Sequence, residues 1–413
     1  MYLYNIYLDN IYRREYNINK KGEKYMYKGF KVKIYPNEEQ KEKLFQFFGA
    51  YRYAYNWTIY TEETNYKNGN KFLSKTQLTQ LWKEYKKSIP WIKDMSGRAI
   101  RSGIFNAYDS YDRFFKGISK HPKFKKRKGN HYSCGTHEEN TLIEKNRIKF
   151  EKLGWVKCHN NIPCTWSVHS NGRSMTDKTL CSPTISYDGV NFWFSVAIDV
   201  ENYKIDKQVE VNYPIGIDLG IKKLATDSMK IDCIKPNIKK DKKKLKRLQR
   251  KASRQYLKRL EESKKTKTKL SEIPKSKNLI KLEEQINKVY KKIDNKLTTN
   301  IHEYTTTLIK MNPKAIVIED LNISGMLKNK HLSEKIKEAK FYEFRRQLEY
   351  KCKWNNVPLM IADRWYPSSK ICNCCKNKKM RLSLRERTYR CEFCGYIEDR
   401  DYNASLNLRD LAM

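Results

Sequence analysis

Two short apolar runs, each closed by an acid, limit what this chain can become more than any other feature. Residues 213–220 read Tyr-Pro-Ile-Gly-Ile-Asp-Leu-Gly, and residues 314–322 read Lys-Ala-Ile-Val-Ile-Glu-Asp-Leu-Asn. Runs this short and this rich in β-branched residues are buried strands. Between them Leu282, Ile286, Val289, Ile293, Leu297, Ile301, Tyr304 and Leu308 recur at spacings of three and four, which predicts one long helix. A helix through "FYEFRRQLEYKCKW" and a strand at "VPLMIAD" follow. The alternation from Tyr213 onward is that of an α/β domain. Yet Asp218 and Glu319 sit at the ends of these apolar strands, where a carboxylate is costly unless something pairs with it.

A third acid, Asp401, stands in "EDRDYNAS" where a short closing helix begins. If the three converge on one sheet edge they repel, and each must be held neutral or be neutralised by a metal. Hard oxygen ligands with few imidazoles select Mg²⁺ or Mn²⁺ over zinc. A pair of such ions activates water and stabilises the leaving oxygen of a phosphodiester. For any one of these acids a cap or turn role is the commoner meaning; the set carries the argument. Gly216, two positions before Asp218 on the same strand face, is expected to leave room beside the metals for a phosphodiester.

The cysteines point to a second metal. Cys372-x2-Cys375, fifteen residues, then Cys391-x2-Cys394 is the spacing of a zinc ribbon. A closed four-thiolate Zn²⁺ site is structural, replacing a core that so short a segment cannot build. Cys374 lies beside the first pair, but the two-residue spacing selects Cys375, and Gly395 suits the turn after the second pair. Eleven cysteines in a chain whose N-terminus lacks the apolar core of a signal peptide indicate thiols and metal ligands rather than disulfides. The expected location is therefore cytoplasmic. No apolar run approaches the ~20 residues of a membrane span, so no membrane partner is expected.

The N-terminal half reads differently. Phe30, Val32 and Ile34 alternate with Lys31, Lys33 and Tyr35 as in a half-buried strand. Asn37 with Gln40, and Ser74 with Gln77, have the pattern of helix-opening capping boxes. A third helix presents Ile100, Ile104, Ala107, Tyr111 and Phe114. Residues 140–203 read as strands, with a hairpin turn at Asp188-Gly189, and are expected to pack with the strand at 29–35. The helical module is then an insertion between them.

Lys plus Arg number 86 against 46 Asp plus Glu, a formal charge of +40, which favours a polyanionic partner and nucleic acid first. Lys123, Phe124, Lys125, Lys126 and Arg127 set an aromatic among cations, and Lys243, Lys244, Arg247 and Arg250 belong to a dense basic run. Both are candidates for tracking phosphates. The aromatics around Tyr51–Trp57 could stack bases or equally fill the helical core.

In this order, "IGIDLGIKKLAT", "IVIEDLNISGM" and "DRDYNASLNL" resemble the three motifs of a split RuvC-like nuclease of the RNase H fold. The chain is more closely similar to the TnpB family, RNA-guided nucleases of insertion sequences related to compact type V CRISPR effectors. The similarity runs from about residue 28 to the C-terminus, through "KIYPNEEQ", "KHPKFKKR", "SKNLIKLEEQINKVYKKI", "KNKHLSEKIKEAKFYEFRRQLEYK" and "RWYPSSKICNCC". It implies an α/β and α+β multidomain protein. An N-terminal extension (1–25) precedes the first strand (26–36) of a β-barrel-like wedge domain. A helical recognition module (37–125) is inserted before the rest of the wedge (126–208). RuvC-like motifs I and II (209–368), a zinc-binding insertion (369–397) and motif III (398–413) follow.

The resemblance makes Asp218, Glu319 and Asp401 the catalytic metal ligands, with Asp320 and Asp399 supporting. It implies an RNA-guided DNA endonuclease encoded by a transposable element. A guide RNA would pair with double-stranded target DNA beside a short motif read by the protein, and a monomer is favoured. The alternative, a non-cleaving nucleic-acid-binding regulator of transposition, is opposed by the intact acids. An unguided structure-selective nuclease would not need the split motifs or the large basic N-terminal half. Asn403-Ala404-Ser405 departs from the family's usual "NAA", a change not expected to affect metal binding, and residues 1–25 have no counterpart.

Overall fold

Strand β1 (Tyr27–Tyr35) opens the described part of the chain and is paired, along almost its whole length, with a strand more than 150 residues later. The computed structural model describes residues 27–127, 131–138, 140–159, 162, 166–168, 174–176, 180–199, 211–383 and 385–413. The expected N-terminal extension, the first residue of the expected first strand and the expected boundary at 208–209 lie outside these residues. The chain divides into two compact units, one through residue 202 and the other from residue 203.

In the first unit β1 is followed by α1 (Glu38–Lys67), α2 (Lys75–Tyr85) and α3 (Gly97–Phe115). Both capping boxes form: Asn37 Oδ1 accepts from Gln40 N at 2.8 Å and Gln40 Oε1 from Asn37 N at 3.1 Å, and Ser74 and Gln77 exchange the same pair. Strands β2 (Tyr132–Gly135), β3 (Leu142–Ile143), β4 (Arg147–Phe150), β5 (Gly154–Cys158), β6 (Trp166–Val168), β7 (Ser174–Thr176), β8 (Leu180–Tyr187) and β9 (Phe192–Asp199) follow. The order β2-β8-β9-β1-β5-β4-β3 makes one seven-stranded sheet, and β6 and β7 pair separately. Because β1 lies between β9 and β5, the helices are an insertion between parts of one sheet. Among the described residues no ladder joins β2 to β3. Alternation decides the core, in which Val32 and Ile34 meet Phe194, Val196 and Ile198 beneath Leu44, Phe47 and Phe48 of α1.

The second unit contains β10 (Ile215–Leu219), β11 (Ala225–Asp227), α4 (Lys239–Thr266), α5 (Lys277–Lys310), β12 (Ile316–Ile318), α6 (Ile323–Leu327), α7 (Ser333–Ala339), α8 (Phe341–Asn355), β13 (Leu359–Ile361), β14 (Thr388–Arg390), β15 (Ile397–Asp399) and α9 (Arg400–Arg409). The order β11-β10-β12-β13 forms a sheet in which β10, β12 and β13 are parallel. Period two sorts its residues. Ile215, Ile217, Ile316 and Ile318 pack with Ile301, Tyr304, Leu308, Phe344 and Leu348 of α5 and α8, whereas Val317 on the opposite face packs with Leu408 of α9.

Gly216 shares that opposite face, and the space beside it is filled. A Cβ at this position would stand 2.0 Å from Ser405 O and 2.3 Å from Arg409 N, both backbone atoms of α9. The expectation that Gly216 makes room for a phosphodiester is therefore corrected: its missing side chain admits α9. Backbone cannot yield as a flexible side chain can, so Gly216→Ala is expected to destabilise the protein by about 3 kcal/mol or more. A denaturant melt measures this, and a loss below ~0.5 kcal/mol would show that the helix can shift without cost.

Candidate functional site

The strand register sets the acid pair. Gly216 lies opposite Val317 and Ile217 opposite Ile318 in parallel β10 and β12. One step further along are Asp218 and Glu319, adjacent on the α9 side at the C-terminal ends of neighbouring parallel strands. Such edges are where open α/β sheets gather their chemistry. Leu219 N donates to Glu319 Oε1 at 2.9 Å, tying Glu319 to the backbone of β10. Burial, then the Glu319 carboxylate that meets it through a hydrogen bond, and then Asp401, push the Asp218 carboxyl well above the usual range. Two carboxylates so placed need a shared proton or a cation. A hard divalent ion would meet this requirement.

Asp401 is on the first turn of α9 and acts on Asp218 through charge. Its Oδ1 accepts from Arg400 Nε at 3.1 Å and Nη2 at 2.9 Å, and Arg387 Nη1 lies 3.7 Å from Oδ2. Cations thus accompany the acids, a feature missed in the sequence even though Arg400 directly precedes Asp401. Asp399 caps α9 by accepting from Asp401 N and Tyr402 N, both at 3.0 Å. Asp320 is occupied by Arg345 at 3.1 Å and by Arg364, and these pairings hold it below the usual carboxylate range. Ser405 is buried, and its Oγ donates to Tyr402 O at 2.7 Å within its own helix.

The Sγ atoms of Cys372, Cys375, Cys391 and Cys394 lie within 4.8 Å of one another, the only group of at least three His, Cys, Asp or Glu ligand atoms so close among the described residues. Cys372 and Cys394 are 3.6 Å apart, as are Cys375 and Cys391. A tetrahedron with Zn–S near 2.3 Å has edges of about 3.8 Å, whereas a disulfide would need about 2.05 Å. Zinc therefore fits the four sulfurs. Backbone N–H groups of Cys394 and Phe393 draw the Cys391 thiol down to about 6, while burial pushes the Cys372 thiol up to about 12. Gly395 follows at φ +72°, the left-handed turn expected there. The ribbon is fastened to α9: Asn403 Nδ2 donates to Ile371 O at 2.8 Å, and Asn407 Nδ2 to Ser368 O at 2.8 Å and Ile371 O at 2.7 Å.

The basic candidates divide. On α4, Lys243, Lys244, Arg247 and Arg250 are exposed, and no acid pairs with them among the described residues. The acid of its first turn, Asp241, faces α5 and is gripped by Lys292 at 3.0 Å and Lys296 at 2.7 Å. In the first unit Lys123, Phe124, Lys126 and Arg127 are exposed, but Lys125 is engaged within the protein. Its ammonium donates to Tyr51 OH at 2.9 Å and lies over the Tyr51 and Tyr55 rings, while its backbone exchanges two hydrogen bonds with Asn56. Lys125 straps the loop to α1.

The Tyr51–Trp57 stretch splits as well. Tyr51 and Tyr55 are core, whereas Tyr53 and Trp57 line an open cavity of about 910 Å³ with Tyr60, Tyr85, Trp91 and Phe124. Arg52 and Asn56 supply polar groups, and Tyr53 and Tyr85 share a 2.7 Å hydrogen bond. The alternation of core and cavity residues along α1 carried the signal; Tyr85 and Trp91, from later segments, did not.

Among the described residues no helix is long and apolar enough to cross a membrane. Three family profiles match the chain: an OrfB IS605 profile described as "Probable transposase" over residues 195–330, an OrfB IS605 "Helix-turn-helix domain" over 26–71, and a "Cas12f1-like, TNB domain" over 341–408. The described residues of the second hold a strand and one continuous helix, β1 and α1. A "Putative RNA-guided DNA endonuclease" of Streptomyces pristinaespiralis is 28% identical over 385 residues, covering 92% of this chain and 88% of its own. A namesake in Escherichia coli (strain K12) is 27% identical over 408 residues, covering 92% and 90%. In fold, the chain is like one in the "Cryo-EM structure of the Cas12f1-sgRNA-target DNA complex", with a TM-score of 0.50 at 12% identity over 93% of this chain and 99% of that one. Matched in both its units and along nearly the whole length of such relatives, the chain is similar throughout to the transposon-associated OrfB (TnpB-like) proteins.

Proposed function

We propose that this protein is an RNA-guided DNA endonuclease that hydrolyses phosphodiesters at the edge formed by Asp218, Glu319 and Asp401. The observation that carries the reading is the pairing of Asp218 with Glu319 at adjacent parallel strand ends, with Asp401 near enough to raise the Asp218 pKa. Relatives of matching length that bear the name of RNA-guided DNA endonucleases support it. Mg²⁺ or Mn²⁺ held by these carboxylates would supply Lewis acidity and a water of lowered pKa. Glu319, fixed by Leu219 N, and Asp218 orient the reacting phosphate's surroundings, while Arg400 and Arg387 hold the Asp401 carboxylate in place. Zn²⁺ in the four-cysteine group is structural. The exposed cations of α4 and the aromatic cavity of the first unit supply phosphate contacts and stacking faces for guide and target.

The test is to purify the protein co-expressed with its flanking DNA, sequence any bound RNA, and challenge the complex with matching duplex in Mg²⁺. A discrete RNA and cleavage directed by its sequence are expected. Recovery of no discrete RNA would remove guidance, and binding without cleavage would favour the regulatory alternative. Replacing Lys243, Lys244, Arg247 and Arg250 by Gln should weaken binding alike for all sequences. It should also flatten the dependence of log K on log salt by about one for each phosphate no longer neutralised. An unchanged slope would clear α4 of any role in holding phosphates.

A further inference from the structure

The turn after β13 presents an indole that the chain itself leaves uncovered. Ile361 pairs with Ile318 and Ala362 N donates to Ile318 O at 2.8 Å, so residues 363–366 leave the sheet at the same end as Asp218 and Glu319. The turn is fixed from both sides. Asp320, next to Glu319, holds the Arg364 guanidinium, and Tyr366 OH donates to Asn407 O of α9 at 3.2 Å. Asp363 Oδ1 accepts from Trp365 N at 2.8 Å, and Tyr366 N donates to Asp363 O at 3.0 Å. On this rigid base the Trp365 side chain is open, the residue being 84% exposed, and among the described residues its ring has no aromatic or cationic neighbour.

An indole in water forgoes the burial that places most tryptophans inside. Here the backbone beneath it is already ordered, so little further entropy is lost when a ligand covers it. The surroundings select the ligand: Arg364 is adjacent, Arg345 shares Asp320, and the acid pair stands at the same sheet edge. A flat exposed π-face at a sheet edge that also carries the Arg345 and Arg364 guanidiniums suits an unpaired nucleobase on a polyanionic strand. Resting on the nuclease reading above, we propose that Trp365 is a positioning residue. It stacks on an unpaired base of the strand led to Asp218 and Glu319, and so selects which phosphodiester reaches them.

The experiment uses the full chain with its copurified RNA, in Mg²⁺, on matched DNA carrying 2-aminopurine near the cut. Trp365→Ala should raise KM about tenfold, leave kcat within about twofold, spread the cut over neighbouring phosphodiesters and lose 2-aminopurine quenching. Trp365→Phe should restore position and quenching. Cutting by Trp365→Ala at wild-type positions with wild-type KM would overturn the proposal, as would a Phe variant as impaired as Ala. If Trp365→Ala instead loses only a protein partner found in pull-downs, the face belongs to that partner and the proposal falls. Wild-type protein that binds but does not cut would remove the nuclease reading and this inference together. Normal cutting with an indifferent Trp365→Ala removes the inference alone.

Discussion

Asp218→Asn is expected to reduce cleavage on the order of 10³-fold or more while leaving the fold at least as stable as before. Both halves follow from one contact. The Asp218 carboxyl faces Glu319 across neighbouring strand ends, and burial and that neighbour together disfavour its charge. An amide of the same shape removes the repulsion and can donate to Glu319, so thermal melting should hold or rise. The same amide is a far poorer ligand for a hard cation, so the chemistry that needs one disappears. Cleavage rates, a melting curve and binding to labelled target separate the outcomes. Retained cleavage would remove Asp218 from the site, and a marked fall in melting temperature would show that the pair stabilises the apo fold.

Removing zinc should cost cleavage as well, though no cysteine is placed at the acids. The apolar centre of the ribbon is little more than Cys372, Tyr389 and Cys391, too small to stand without a metal whose binding contributes on the order of 10 kcal/mol. The ribbon is also the platform under α9, through Asn403 and Asn407, and α9 carries Asp401. Cys391→Ser, or a strong chelator, is expected to leave residues 372–394 open to proteases and to lower cleavage at least ~10-fold. Elemental analysis of untreated protein should find about one zinc per chain. A protease-resistant, fully active Cys391→Ser variant would separate the ribbon from the site.

The parts that could be read from residues alone were those that repeat a period or a spacing. The long α5 stripe, both capping boxes and the alternation of β1 are local patterns, and each appears where the pattern puts it. The two cysteine pairs are a spacing, and the fold brings them together. What stayed illegible depends on packing between distant segments. Nothing local in Gly216 says that α9 lies on it, so vacant space was inferred where backbone packs. Lys125 looks like its neighbours in the sequence, and only the loop's return onto Tyr51 and Tyr55 takes it out of the basic surface. Trp365 reads as one more aromatic until the register of β13 with β12 places its turn at the acid edge.

The seating of α9 on Gly216 also sets when the molecule becomes dangerous. About 180 residues separate Asp218 from Asp401, and the strand bearing the first cannot be covered on that face until the helix bearing the last has been made. Pairings this distant in sequence form late. A nascent chain still on the ribosome therefore carries its cationic helices well before it carries the third acid. On the reading proposed above, a product truncated ahead of residue 401 keeps the basic helices and lacks the third acid.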